Sequence, residues 1–276
     1  MKPRAVIFDL FGDYLRYAGG EVKLGDLSVL LADFGIESAT VRVNMSRLRK
    51  EGWLTSRRLK RETIYELSGH MLEVLDQGRR RIFERLDGPW SDQWTMVTYL
   101  VHESERSVRE QLRRDLAWHG FGPLSSSMWL APHDFFDEML ALASDYPTAR
   151  IDVFRCGTGS IEADRELAAR CWELEQLSAD YAKFIATYHE LDGVDSNREM
   201  SGREALVART QLISDFRRFP FRDPQLPVAL QPDGWAGEEA YALFHRVHSA
   251  LGPKANAYVE TVIGREIVLP RERQNA

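Results

Sequence analysis

Apolar residues recur at helical spacing three times in the first third of the chain, and the spacing then changes to that of strands. Ile7, Leu10, Phe11 and Tyr14 share one side of a helix predicted over residues 5–17, which Gly19-Gly20 ends. A second short helix is predicted over 24–34, with Leu27, Leu30 and Leu31 on one face and Gly35 as its breaker. Ser38 is a good N-cap for a third helix, which runs to Glu51 and stops at Gly52. Val41, Met45 and Leu48 form its core stripe, while Val43, Ser46, Arg47 and Lys50 lie opposite, flanked by Thr40 and Arg42. Two alternating segments follow, 53–58 and 63–67, joined by the charged turn Leu59-Lys60-Arg61-Glu62. That is a β-hairpin with a basic tip. Helix, helix, turn, helix, hairpin is the order of a winged helix-turn-helix. A further helix over 69–86, with Leu72, Leu75, Ile82 and Phe83 as its stripe, completes a first domain at 1–86.

Residues 87–89, Asp-Gly-Pro, read as a linker. Strands are predicted over 94–101, 127–130 and 150–155, with helices over 107–119 and 134–144 between them. Such alternation predicts a small α/β sandwich over 90–160. From 161 to 189 the pattern is helical and acidic, with Cys171, Leu174, Leu177, Tyr181, Phe184 and Ile185 inward. A polar loop over 191–202, a helix over 203–219, a proline-rich stretch over 220–237 and a last helix over 238–251 follow. These make a helical third domain at 161–264 for dimerisation and effector binding, and 265–276 is a loose polar tail. Leu243, Phe244, Val247 and Leu251 on the last helix offer apolar surface for self-association. The fold class expected is α+β, mainly α.

Composition narrows the class. Hydrophobic residues make up 44% of the 276, enough for a sizeable core. No stretch approaches the roughly 20 apolar residues of a membrane span, and the N-terminus does not read as a signal peptide. The two cysteines, Cys156 and Cys171, form neither a disulfide framework nor a CxxC pair, so a reducing cytoplasm is expected.

Charge changes the picture more. The net charge is −6, yet residues 1–85 carry sixteen Lys and Arg against twelve Asp and Glu, a net of +4, which leaves −10 for the rest. Between Arg42 and Arg61 stand eight basic residues and one acidic, Glu51. A local basic patch on an acidic chain is the footprint of one DNA-binding module in a larger regulator. A recognition helix packs one face and turns the other to base edges in the major groove. Ser38, Thr40, Arg42, Val43, Ser46, Arg47 and Lys50 are the candidate readers. Arg42 and Arg47 suit guanine edges or phosphate, Ser46 donates or accepts, and Val43 suits a thymine methyl. Arg57, Arg58, Lys60 and Arg61 on the wing suit phosphates or a minor groove. The expected partner is double-stranded operator DNA, read by a homodimer whose half-sites lie about one turn, some 10 bp, or a multiple of it apart.

Other chemistries find little support. His245 and His248 lie three apart on a predicted helix and share a face, but no third metal ligand stands nearby. Gly157-Thr158-Gly159 is too short for a dinucleotide loop, and Ser125-Ser126-Ser127 is not a nucleophile elbow. No catalytic constellation, cofactor or metal is expected, and no enzyme.

The segment LFGDYLRYAGGEVKLGDLSVLLADFGI, followed by VRVNMSRLRKEGWLTSRR, closely resembles the PaaX-like family of repressors of bacterial phenylacetate degradation. The resemblance continues through ARCWELEQLSADYAKF and FRRFPFRDPQLP, so it spans nearly the whole chain. It implies a winged helix-turn-helix, a ferredoxin-like middle domain and a helical C-terminal domain. It also implies a dimeric repressor released from its operator by an aryl-CoA thioester such as phenylacetyl-CoA, with the recognition helix at residues 40–50.

The middle domain also resembles a CRISPR-adaptation nuclease of ferredoxin-like fold. Those nucleases place a metal-binding aspartate directly after a tyrosine at the end of the first strand. Here Leu100 follows Tyr99, and Glu103 and Glu105 lie just beyond the strand. Metal-dependent cleavage therefore stands as an alternative without an anchored carboxylate. DNA binding without an effector is another alternative.

An aryl-CoA ester carries phosphates, and residues 86–276 are acidic overall, so its site needs a local cluster of arginines. Arg217, Arg218 and Arg222 form the densest one, and guanidinium forks grip phosphate bidentately. Trp172, Tyr181 and Tyr188 are candidates for the slot of the aryl group. The same arginines could instead pair with Asp215 and Asp223, and arginine with aromatics is also common at dimer interfaces.

Overall fold

The computed structural model describes residues 1–86, 90–193 and 200–269. The predicted linker at 87–89, most of the loop at 191–202 and the end of the predicted tail lie outside the described residues. The fold is α+β and mainly helical, with two small antiparallel sheets. The chain forms two compact units. One comprises Met1–Glu84, Phe184–Phe216 and Tyr241–Ala276; the other comprises Arg85–Lys183 and Arg217–Ala240.

The first unit opens with α1, Pro3–Asp13, whose proline stands in the first turn, where a missing N–H costs nothing. The predicted helix over 5–17 divides here. Tyr14 leaves helical geometry, a 3-10 turn covers Leu15–Ala18, and Gly19 and Gly20 turn the chain with positive φ. Strand β1, Glu21–Lys23, was not foreseen, because three residues are too few to show alternation. Helix α2 is Leu24–Ala32 and α3 is Ser38–Lys50. Glu37 occupies the N-cap of α3 and Ser38 is its first helical residue, so the serine does not cap it. Strands β2, Leu54–Leu59, and β3, Glu62–Leu67, form the predicted hairpin, and β3 also pairs with β1 in the order β1-β3-β2. Ser68 then caps α4, Gly69–Phe83, by accepting from the Met71 backbone N–H at 3.2 Å. Met71 is the fully buried residue of α4, whereas Leu72, placed in the predicted stripe, is exposed. The inward face begins one residue earlier than its spacing implied.

Two later helices give this unit the rest of its core. They are α9, Gly202–Phe216, and the greater part of α10, Gly237–Ile263. Helix α10 runs twelve residues past its predicted end at Leu251, through Gly252-Pro253. An interior proline removes one backbone bond and costs about 3 kcal/mol. Leu251, Ala255 and Val259, fully buried at four-residue spacing, offset that cost. Gly252 has no Cβ to clash with the following ring. Leu243, Phe244, Val247 and Leu251 are buried within the chain, and Phe244 stacks on Phe216 with centroids 4.1 Å apart. They are core residues and not the self-association surface expected of them.

The second unit contains β4, Trp94–Leu100; α5, Arg106–Trp118; β5, Gly122–Ser125; β6, Met128–Ala131; α6, Phe136–Ser144; and β7, Arg150–Cys156. The sheet order is β5-β6-β4-β7, with every pairing antiparallel. The four-residue β5, which carries a proline and a bulge, was not foreseen. Alternation along β4 feeds two cores. Val97 and Tyr99 pack with Leu112 and Leu116 of α5 and Met139 of α6. Trp94 packs on the other face with Ala168, Cys171, Leu226 and Leu230. The helical stretch predicted over 161–189 is two helices, α7, Ile161–Cys171, and α8, Leu174–Tyr188, because Trp172 between them is extended. Gly122 accommodates the Trp172 indole: a Cβ there would lie 2.5 Å from the ring.

Candidate nucleic-acid interface

Val41, Met45 and Leu48 of α3 are buried, as their spacing requires. Arg42, Val43, Arg47, Arg49 and Lys50 are exposed on the same helix, while Thr40 and Ser46 are half-buried. Val43 is 68% exposed, an apolar side chain held in solvent among cations. Ser38 is exposed at the first turn. On the hairpin, Arg57, Arg58, Lys60 and Arg61 are all exposed. Lys60 takes a left-handed φ of 55° in the two-residue turn, a conformation glycine usually fills.

Helix and hairpin are tied by Arg49 Nη1, which donates to Ser56 Oγ at 3.4 Å. The cations differ in what they already hold. Arg47 donates to Glu51 at 2.8 Å, and Arg4 of α1 shares that carboxylate at 2.6 Å. Hydrogen bonds from Arg4 and Arg47 hold the Glu51 carboxyl below its usual range. Arg57 donates to Glu21 of β1 at 2.6 Å, and Arg265 binds the same carboxylate. Hydrogen bonds from Arg265 and Arg57 likewise lower the Glu21 carboxyl. Among the described residues Arg42, Lys50, Arg58, Lys60 and Arg61 carry no ion pair. The sequence showed the cations and Glu51 at the end of α3, but not that Arg4, Glu21 and Arg265 reach them from other elements.

The six residues singled out for an effector fare differently. Trp172, Tyr181, Arg217, Arg218 and Arg222 belong to the second unit, and Tyr188 belongs to the first. Tyr188 is buried and donates to Asp215 at 2.7 Å. Tyr181 is buried, stacks on Phe219 at 4.1 Å and donates to Asp223 at 2.7 Å. Arg222 donates to Asp180 at 2.7 Å, and hydrogen bonding from Arg222 lowers that carboxyl. Arg217 is half-buried and Arg218 exposed. Trp172 and Arg222 do meet, at one pocket of about 210 Å³.

The strand relevant to metal-dependent cleavage is β4, Trp94–Leu100, which has no carboxylate in its sequence. Glu103 and Glu105 sit in a 3-10 turn after it. Among the described residues no group of three or more His, Cys, Asp and Glu lies where it could hold a metal ion.

Three family models match the chain. They are the PaaX-like protein over residues 2–71, the PaaX protein central Cas2-like domain over 87–168, and the PaaX-like protein C-terminal domain over 172–261. The transcriptional repressor PaaX of Escherichia coli (strain K12) is 30% identical over 272 residues, covering 94% of this chain and 85% of that protein. The chain belongs to the PaaX-like family. A solved structure, uncharacterized protein Rv0674 from Mycobacterium tuberculosis, matches with a TM-score of 0.55 at 22% identity. The match covers 84% of this chain and 89% of that one. It shows a shared fold.

In this PaaX-like chain a buried ion cluster underlies the unit that carries α3. Arg209 of α9 brings Nη2 within 3.3 Å of Asp13 Oδ1 and 2.9 Å of His248 Nε2. Its Nε approaches Asp13 Oδ2 at 3.2 Å as an ion pair outside hydrogen-bond geometry. His248 Nε2 also lies 3.1 Å from Asp13 Oδ1. Burial alone would raise the Asp13 carboxyl, but Arg209 and then His248 hold it at about 2. Burial pushes the His248 imidazole below its usual 6.5, so it is the neutral ring that the site favours. Among the described residues no helix is long and apolar enough to cross a membrane.

Proposed function

We propose that this PaaX-like chain is a DNA-binding transcriptional repressor of phenylacetate-type catabolic genes. Residues 1–86 act as a winged helix-turn-helix, with α3 in the major groove and the β2–β3 wing on the backbone. The element order of the second unit supports a ferredoxin-like middle domain, and the helices after it a C-terminal domain for dimerisation and effector binding. The observation that carries the reading is the division of α3: a buried stripe of Val41, Met45 and Leu48 under exposed Arg42, Val43, Arg47 and Lys50. That is what a helix must offer to pack and to read base edges together. Its E. coli relative is named a transcriptional repressor, which supports the direction of control. The chain acts as a homodimer on a two-fold operator, and an aryl-CoA thioester releases it.

The ligand must favour a conformation with misplaced α3 helices, since equal affinity for both conformations shifts nothing. Fluorescence anisotropy with duplexes from a phenylacetate-gene promoter tests this. Binding with a two-fold-symmetric footprint, reversed by phenylacetyl-CoA, is the expected result. No preference for any promoter duplex over random DNA would overturn the repressor reading. Retention of binding at saturating ester would overturn the effector.

A further inference from the structure

The pocket at Trp172 and Arg222 lies wholly within the second unit, and its wall residues describe a ligand. Phe121, Trp129, Trp172 and Phe221 give aromatic surface, with Ala117 at the end of α5 and Pro123 and Pro224 between them. Trp129 is only 5% exposed, so its ring is a fixed part of the wall. Phe221 and Arg222 are exposed and complete the lining. Arg222 already contacts Asp180, in a solvated pair of the kind worth little. Its other guanidinium donors can meet a second anion.

Volume limits what enters. A dry apolar cavity of roughly 150 Å³ already accepts benzene, whereas sites that enclose a whole drug-sized molecule run to about 300–1,000 Å³. About 210 Å³ holds one ring and a short substituent. Asp223 also lines the pocket, but Arg85 lies 3.8 Å from its Oδ2 and compensates its charge, while Tyr181 and the Gln225 backbone donate to its oxygens.

We propose that this pocket binds a planar aromatic group attached to an anionic part: the ring lies among Phe121, Trp129, Trp172 and Phe221, and Arg222 meets the anion. The proposal deepens the effector reading above and rests on it for the thioester source. It differs from the sequence expectation in its residues. Trp129, Phe121 and Phe221 replace Tyr181 and Tyr188, whose rings and hydroxyls are engaged inside the protein.

Calorimetry on the full chain tests it, with phenylacetyl-CoA, phenylacetate and unacylated CoA as probes. The native protein binds phenylacetyl-CoA tightest. Phenylacetate binding alone would assign the pocket to the free acid. Arg222→Gln removes the exposed guanidinium, so ester affinity falls about tenfold while the melting midpoint, to which its solvated pair with Asp180 adds little, stays level. An arginine that serves only Asp180 would leave the ester affinity unchanged. Ala117→Leu fills the cavity and abolishes the aryl-dependent part of the affinity, leaving the ester no better than CoA. If the native chain binds the ester and both variants bind it equally well, the pocket assignment is overturned and the effector reading stands. If the native chain binds neither ester nor acid, both fall.

Discussion

Charge serves opposite ends at two places in the first unit. At the Asp13–Arg209–His248 cluster the charges are out of water, close-packed and partnered on several sides. On α3 and the hairpin the cations stand in solvent, and among the described residues several carry no ion pair. A desolvated charge is costly to leave alone, so the cluster locks α1, α9 and α10 into one arrangement. A solvated cation costs little to present and gains when it displaces counterions from a polyanion. Whether an arginine holds the protein together or reaches out of it is decided by burial, not by residue type.

The comparison breaks hardest at Arg209. Arg209→Leu strands the Asp13 carboxylate, and the expected loss is about 3–5 kcal/mol of unfolding free energy in urea. Asp13→Leu added to Arg209→Leu removes the stranded charge and recovers much of it. A double variant as unstable as the single would show that packing, not charge, makes the cluster matter.

On the solvated side the effects fall on DNA and leave stability unchanged. Arg47→Ala is expected to weaken operator binding by about 1–3 kcal/mol and to relax base preference at one position, read by selection from a randomised duplex. Its ion pair with Glu51 is solvated and offsets little. The wing sharpens the contrast. Arg58→Ala lowers the slope of log affinity against log salt by about one, a phosphate's worth. Arg57→Ala lowers it less, because Glu21 already neutralises Arg57. Equal slopes for both variants would remove the role assigned to Glu21.

The smallest expected effect is acid sensitivity. The folded state depresses the His248 imidazole below 6.5, so the unfolded chain binds the proton more readily. Stability therefore falls as pH drops below 6.5, while the contribution of Asp13 is fully present above 3.8 and lost only toward 2. Midpoints compared from about pH 7.5 to about pH 5.5 should fall further for the native chain than for His248→Gln. Parallel lines for the two would assign the slope to other groups.

The sequence made α3 legible because burial and exposure divide at 3.6-residue spacing, so Val41, Met45 and Leu48 named the inside and Arg42 and Arg47 the outside. It made β1 and β5 illegible, because three or four residues carry too little alternation. Pro253 hid the second half of α10, since the local penalty is visible in sequence and the burial of Ala255 and Val259 that outweighs it is not. The partners of the basic residues were hidden for a related reason. Asp13 and Arg209 are 196 positions apart, and nothing near either residue announces the other. His248 drew notice only as half of a spacing shared with His245, and its environment gave it different work. The pocket showed only through Trp172 and Arg222, because its aromatics come from three separate stretches of chain.

The unit that carries α3 is assembled from three stretches of chain, Met1–Glu84, Phe184–Phe216 and Tyr241–Ala276. This sets an order of events during synthesis. The hairpin and α1 to α4 leave the ribosome first, yet Asp13 waits for Arg209, and Phe83 waits for Phe244 and His248. The intervening second unit, whose sheet contacts are closer in sequence, has its strands available to pair in the meantime. The part made first is thus the part finished last, and a nascent chain stopped at mid-length would display the basic helix on a unit that still lacks α9 and α10.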